Sequence, residues 1–279
     1  MKRIVLIAAA LLAGVFASAQ MSADYYKSQY ERQVKVLGPA GVGVETILDN
    51  WEAAAPDDGD MLEGRFVYYF NKARSSEVVK KSAKKYLGQK PVLEMKDSLG
   101  VPVYFFQVEN FEDSLFAKSQ NAIDRAIALY PDELKYRVDK ITALVSYEGE
   151  SPDMACAELM KIIDRNVSEH PSWTYDKEPA DDDLFQNLVQ EYCFTFFNLG
   201  TPSSYEAFNV VSSRMAKLYP KNSVYVSNMG TYWLIAKENQ KKAQTYYKKA
   251  LKLDPDDYAA TRNMKIIQLS QSRKDQSSR

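Results

Sequence analysis

The sequence predicts an all-α chain: about five helix hairpins in a row, closed by one C-terminal helix and interrupted by a single β-hairpin near residues 91–110. Three observations predict it. First, Ser223–Pro255 reads as two short amphipathic helices joined by a polar turn and closed by a proline. Second, that ending recurs. Trp51-Glu-Ala-Ala-Ala-Pro56, Ala126-Ile-Ala-Leu-Tyr-Pro131, Met215-Ala-Lys-Leu-Tyr-Pro220 and Ala250-Leu-Lys-Leu-Asp-Pro255 each run a helix into proline, followed by polar residues suited to cap the next helix. Third, the one stretch rich in Val, Tyr and Phe without a helical period lies between Pro91 and Val108.

In Ser223–Pro255, Val226, Met229, Gly230 and Trp233 recur at the i, i+3, i+4, i+7 spacing of a helix with one buried face. Ala243, Tyr246, Tyr247, Ala250 and Leu251 form the matching stripe of the second helix, and Lys241, Lys242, Lys248, Lys249 and Lys252 cover its remainder. Gly230, Ala243 and Ala250 are small where two helix backbones must approach, with Trp233 and Tyr247 as the large residues beside them, as close packing requires. Pro255 stops the second helix after Leu253, because it lacks an amide hydrogen and disfavours helix in the residue before it.

On these residues the stretch resembles a tetratricopeptide repeat. Val226 stands at the first apolar position, Met229-Gly230 at the Leu-Gly pair, Trp233 at the aromatic position, Ala243, Tyr247 and Ala250 in the second helix, and Pro255 at the end. One extra residue lies in the Lys237–Lys242 turn. The resemblance implies a right-handed solenoid whose first helices line a concave groove for a protein or peptide partner. By that alignment Lys135, Asp139, Thr142, Asn228 and Thr231 face the groove. A subset of the family grips a peptide C-terminal carboxylate there with lysine, arginine and asparagine. Here Asn228 matches, but Val224 and Ile235 replace the basic residues of its helix; Lys135 matches, but Asp139 replaces an asparagine, so the standard clamp is not expected.

In chain order, Lys2 and Arg3 precede an apolar run from Ile4 to Phe16 and then Ala17-Ser18-Ala19, the layout of a secretory signal peptide over residues 1–19. The run is short of the roughly 20 residues of a membrane span, so export with cleavage before Gln20, to the periplasm or outside the cell, is expected rather than anchoring. Helices are expected at 23–37, 42–55, 60–74, 76–87, 112–130, 133–147, 152–169, 182–199, 203–219, 222–237, 240–254 and 256–270, within a repeat domain of residues 20–272. His170-Pro171 marks a fifth helix end; the proline spacings of 75, 40, 49 and 35 residues describe an array with insertions. The insertion at 91–110 carries Pro91 and Pro102, which place it on exposed or edge strands. Hydrophobic strand residues usually face a core, so it is read as covering one end of a helix pair; the competing reading is a docking flap anchored by Tyr104, Phe105 and Phe106. Residues 273–279 are expected to fray as a tail.

Charge and chemistry narrow the function. The chain has 36 basic and 37 acidic residues; losing Lys2 and Arg3 with the leader leaves 34 against 37, or −3, which argues against nucleic acid as a partner. A single histidine, His170, sits before a proline at a helix end, so neither a catalytic triad nor a multi-histidine metal site can be assembled, and it is read as a turn residue. The acidic runs Asp57, Asp58, Asp60 and Asp181–Asp183 lack calcium-loop spacing and precede helices, where carboxylates cap free amides. No phosphate loop, nucleophile elbow or C-x-x-C pair is present, and no catalytic residue, cofactor or metal is expected. Cys156 and Cys193 both fall on apolar stripes of successive helices. They stand either as two buried thiols or as a disulfide, which needs Cα atoms within about 7 Å. The expected function is therefore an exported scaffold binding a protein or peptide without catalysis. The alternatives are a sugar-binding or polysaccharide-active envelope protein, or a structural subunit of an envelope assembly; the oligomeric state is left open.

Overall fold

The computed structural model describes residues 22–277, with side chains through residue 272. The expected leader, residues 1–19, lies outside the described residues, as do the last two residues of the expected tail. Eleven helices run through the described residues: α1 (Ala23–Leu37), α2 (Val44–Ala54), α3 (Gly59–Ala73), α4 (Asp113–Leu129), α5 (Leu134–Glu148), α6 (Asp153–Ser168), α7 (Asp182–Leu199), α8 (Pro202–Leu218), α9 (Ser223–Ile235), α10 (Gln240–Leu253) and α11 (Tyr258–Ser277). They pack as pairs, α1 with α2, α3 with α4, α5 with α6, α7 with α8 and α9 with α10, and α11 follows alone. The fold is thus mostly helical, but not all-α. Between α3 and α4 lies a three-stranded antiparallel sheet of β1 (Arg74–Lys81), β2 (Leu93–Lys96) and β3 (Pro102–Phe111).

The proline-terminated helix ends share one geometry. Ala55, Tyr130, Tyr219 and Asp254, each just before its proline, take φ of −147°, −124°, −120° and −143°. Each N–H still donates to the carbonyl four residues back. Proline disfavours the α region in the residue before it, so the helix ends there every time. The acidic runs act as caps: Asp58 accepts from the amide of Asp60 and Asp181 from that of Leu184. His170, at φ 48°, is the turn residue that follows α6.

Two segments depart from the sequence reading. The helix expected at 76–87 is strand β1 and a loop: Val79, Ala83 and Leu87 do stand at helical spacing, but pairing with β3 outweighs that short stripe. Adjacent Val78 and Val79 join a ladder instead. Pro102 is not on an edge strand: the strand order is β1-β3-β2, and proline is tolerated in the central strand as its first residue. The second departure is a short hairpin, β4 (Thr174–Tyr175) with β5 (Glu178–Pro179). Its two loop residues, Asp176 and Lys177, both have positive φ, the backbone of a tight two-residue hairpin turn. Neither is glycine. The carboxylate of Glu133 accepts from both of their amides at 2.9 Å and from Thr174 Oγ1, which holds the turn in place.

The described residues divide into two compact units, those up to 75 with 111–131, and 76–110 with those from 132 onward. In the first, α3 packs on α2 and α4. Its core includes Val44, Leu48, Trp51, Leu62, Phe66 and Ile123. Arg65, nearly buried, bonds Asp49 at 2.7 Å and Glu52 at 2.8 Å, and Arg125 reaches Glu52 at 2.6 Å, tying three helices together. The amide of Glu112 donates to the carbonyl of Ala73, so the sheet insertion begins and ends at one point and leaves the α3–α4 pair intact.

In the second unit, α6 packs on α8, α8 on α9, and α9 on α11. The C-terminal helices have their own core of Val226, Ala243, Tyr247, Ala250, Ala260 and Ile267, with Trp233 and Leu251 packed against it. Gly230 allows the closest approach, since a Cβ there would stand 2.6 Å from the Tyr247 ring. Cys156 and Cys193 are free thiols, so of the two readings the unbridged one holds. Cys193 is fully buried and accepts a hydrogen bond from Ser212 Oγ. The last helix runs on to Ser277, beyond the boundary expected at residue 270.

Candidate functional site

Helix α9 is buried on two sides, and what remains of its surface defines a cleft. Val226 and Gly230 pack toward α10, while Tyr225 anchors α9 to α7 through a hydrogen bond from its hydroxyl to the carbonyl of Gln186. The residues left over, Val224, Asn228, Thr231 and Ile235, lie at i, i+4, i+7 and i+11 and form a third stripe. Gln190, Phe194 and Phe197 on α7 and Arg262, Asn263 and Ile266 on α11 form parallel stripes beside it. Together they line an open cleft of about 620 Å³.

Its walls are apolar and its floor is polar. Phe194, Val224, Ile235, Tyr258 and Ile266 are 40–74% exposed, so five large apolar side chains of one cleft stand in water. Scattered surface apolar residues need no explanation, whereas a contiguous group around a concavity is the usual mark of a binding surface. On the floor, Asn228 Nδ2 donates to Gln190 Oε1 at 2.9 Å and to Ser212 Oγ at 3.3 Å. Asn263 Nδ2 donates to the Tyr247 hydroxyl at 2.9 Å, and Thr231 Oγ1 shares that hydroxyl at 3.1 Å. Burial pushes the Tyr247 phenol above its ordinary pKa, so it stays a neutral donor and acceptor. With their donors engaged, Asn228 and Asn263 keep carbonyl oxygens free to accept, oriented before any ligand arrives. At one end Asp254 and Asp257 cap the chain turn into α11, Asp256 lies beside them, and Arg262 is the cation of the lining.

Of the five residues expected to face a groove, Asn228 and Thr231 lie in this cleft together. Lys135, Asp139 and Thr142 lie along α5. There Lys135 pairs with Asp139 at 3.4 Å and Thr142 meets the Tyr192 hydroxyl at 2.9 Å. Tyr192 also donates to the carbonyl of Val138, fastening α5 to α7 as Tyr225 fastens α9 to α7. Sequence reasoning missed Phe194, Phe197, Arg262, Asn263 and Ile266. The available signal was in α7: of Tyr192-Cys-Phe-Thr-Phe-Phe197 all but Thr195 are apolar, a wider arc than one buried face takes up.

Among the described residues no three His, Cys, Asp or Glu side chains are grouped so as to hold a metal ion. No helix of the described residues is long and apolar enough to cross a membrane. No family model matches the chain, and no curated protein and no solved structure matches it.

Proposed function

We propose that this chain is an exported helical-repeat scaffold of tetratricopeptide type, a right-handed solenoid of five helix pairs and a closing helix, which binds a protein or peptide partner without catalysis. The observation that carries the reading is the α7–α9–α11 cleft, with five exposed apolar side chains over a floor of oriented amides. Apolar walls suit the side chains of a peptide segment, and the amide oxygens suit its backbone N–H groups. The shared proline ends and the contact of each helix pair with the next in the second unit support the repeat reading, and the leader-like residues 1–19 support export. Val224 and Ile235, at the places of the clamp's basic residues, favour an apolar ligand over a free carboxylate.

The test is affinity capture from envelope extract with the mature chain and with a Phe194→Asp/Ile235→Asp variant. One protein recovered in equal amount with the wild type and lost with the variant is expected. Equal recovery by both, or a signal on a glycan array with no protein captured, would overturn the reading. Sequencing the secreted chain should give Gln20 as its first residue, and Met1 would contradict export.

A further inference from the structure

The three-stranded sheet has one covered face and one uncovered face, and the two are chemically different. In the β2–β3 register Leu93 pairs with Phe105, Glu94 with Tyr104 and Met95 with Val103. Directly paired residues share a face, and alternate residues point oppositely. Tyr104 and Phe106 therefore point one way. Phe106 is fully buried against Tyr86 of the connecting loop, which itself bonds Glu150 at 2.8 Å. Lys81 lies over the same Tyr86 ring at 4.1 Å, so Val79 and Lys81 of β1 belong to this covered side. The opposite side holds Val78, Leu93, Met95, Val103 and Phe105. Val78, Leu93 and Met95 are 63%, 51% and 50% exposed, and at the adjoining β2–β3 turn Leu99 is 85% and Val101 53% exposed.

The charge around this face is as one-sided as its apolarity. Residues 74–101 carry seven basic side chains against three acidic ones, +4 in a chain whose sum is −1. Lys80, Lys84, Lys85, Lys90 and Lys96 are exposed, and none of them makes an ion pair among the described residues. Lys80 shares the parity of Val78 on the uncovered face, Lys90 precedes β2, and Lys96, opposite Pro102, falls by register on the covered side with Glu94. The acids lie elsewhere: Glu94 pairs on the covered side, Glu77 shares the parity of Val79, and Asp97 accepts from the amides of Leu99 and Val101 inside the turn. Glu109, of the same parity as Val103, is at the far end of β3.

We infer that this uncovered, lysine-flanked sheet face docks the protein on an anionic lipid surface. A few exposed apolar side chains fall far short of the roughly 20–30 residues that each partner gives to a stable protein interface. A bilayer interface asks for less. Each buried apolar group and each lysine near anionic headgroups adds to binding independently, and no complementary shape is required. This docking is peripheral and makes no use of the cleft.

The test is cosedimentation of the mature chain with phosphatidylcholine vesicles, with and without phosphatidylglycerol. Binding to the anionic vesicles alone, reversed by high salt, is expected. Lys80→Ala, on the uncovered face, should weaken it about 5-fold, from about 1 kcal/mol per lysine near the surface at 1.4 kcal/mol per tenfold. Leu93→Ser/Met95→Ser should weaken it as well. Circular dichroism checks that both variants stay folded, and Phe194→Asp/Ile235→Asp should bind vesicles as the wild type does. Absence of binding to anionic vesicles, or binding undiminished in both sheet variants, would overturn the proposal. So would self-association abolished by Leu93→Ser/Met95→Ser without vesicle binding, which would make the face an interface between copies.

Discussion

Gly230→Ala is the sharpest test of the packing between α9 and α10, because its sign is opposite to what an isolated helix would give. Replacing an exposed glycine in a helix interior by alanine normally stabilises by about 1 kcal/mol. At Gly230 the added methyl would stand 2.6 Å from Cε1 and 2.7 Å from Cδ1 of Tyr247. Carbon pairs prefer about 3.5–4.0 Å, so the ring would have to retreat by roughly 1 Å. It has nowhere to go: Tyr247 is fully buried, and its hydroxyl is held by Asn263 and Thr231. Overpacking of this kind costs about 1–3 kcal/mol, and loosening the hydroxyl's hydrogen bonds costs about 1 kcal/mol more. Set against the propensity gain, the expected result is a net loss of about 1–3 kcal/mol. Urea unfolding followed by far-UV circular dichroism measures it. Adding Tyr247→Leu should remove most of the clash, giving a coupling energy of about 1 kcal/mol or more in a double-mutant cycle. A Gly230→Ala chain as stable as the wild type would refute the packing argument.

Three further perturbations test other parts of the fold. Ala243→Phe, at a position with no exposure in the same core, should destabilise by about 1–3 kcal/mol in the same assay. Glu133→Ala removes the acceptor for the amides of Lys135, Asp176 and Lys177. A loss of about 2–4 kcal/mol is expected, with faster hydrogen exchange at Asp176 and Lys177 while the α9–α10 amides stay protected. Burial pushes the Cys156 thiol up to about 11 and the Cys193 thiol up to about 12. Two thiols should therefore titrate per chain in non-reducing denaturant, against almost none in the native protein at neutral pH. Because the fold favours the neutral thiols, their contribution to stability should be complete below the ordinary thiol pKa of about 8.5 and should decline as pH rises above it. Unfolding midpoints between pH 7 and 10 check the sign.

The helical part of the fold was legible because two local rules repeat along the chain. The pre-proline residue is forced out of the helix at Ala55, Tyr130, Tyr219 and Asp254, and small residues mark the α9–α10 contact at Gly230, Ala243 and Ala250. What failed to show depends on distant partners. Strand β1 forms because β3, more than twenty residues later, offers it a ladder, and its local Lys and Glu content points the other way. The Asp176–Lys177 turn lacks glycine because Glu133 on another element holds it, and no window around residue 176 contains that information. Of the insertion's aromatics Phe106 is buried, whereas Phe105 lies by register on the opposite face, a difference that alternation alone does not orient. The cleft lining includes Asn228 and Thr231, two of the five residues expected to face a groove, whereas the aromatic wall of α7 followed from no motif. Periodicity assigned Cys193 and Phe196 to the core, and left unsaid that Phe194 would stand in water.

The proposal that the α7–α9–α11 cleft is the binding surface is tested most directly by hydrogen exchange of the chain, alone and saturated with a protein recovered by the affinity capture. The account predicts slowed exchange concentrated in residues 190–197, 224–235 and 258–266, with the protection abolished by Phe194→Asp/Ile235→Asp. Protection confined to residues 93–105, or absent from all three cleft segments at saturation, would contradict it.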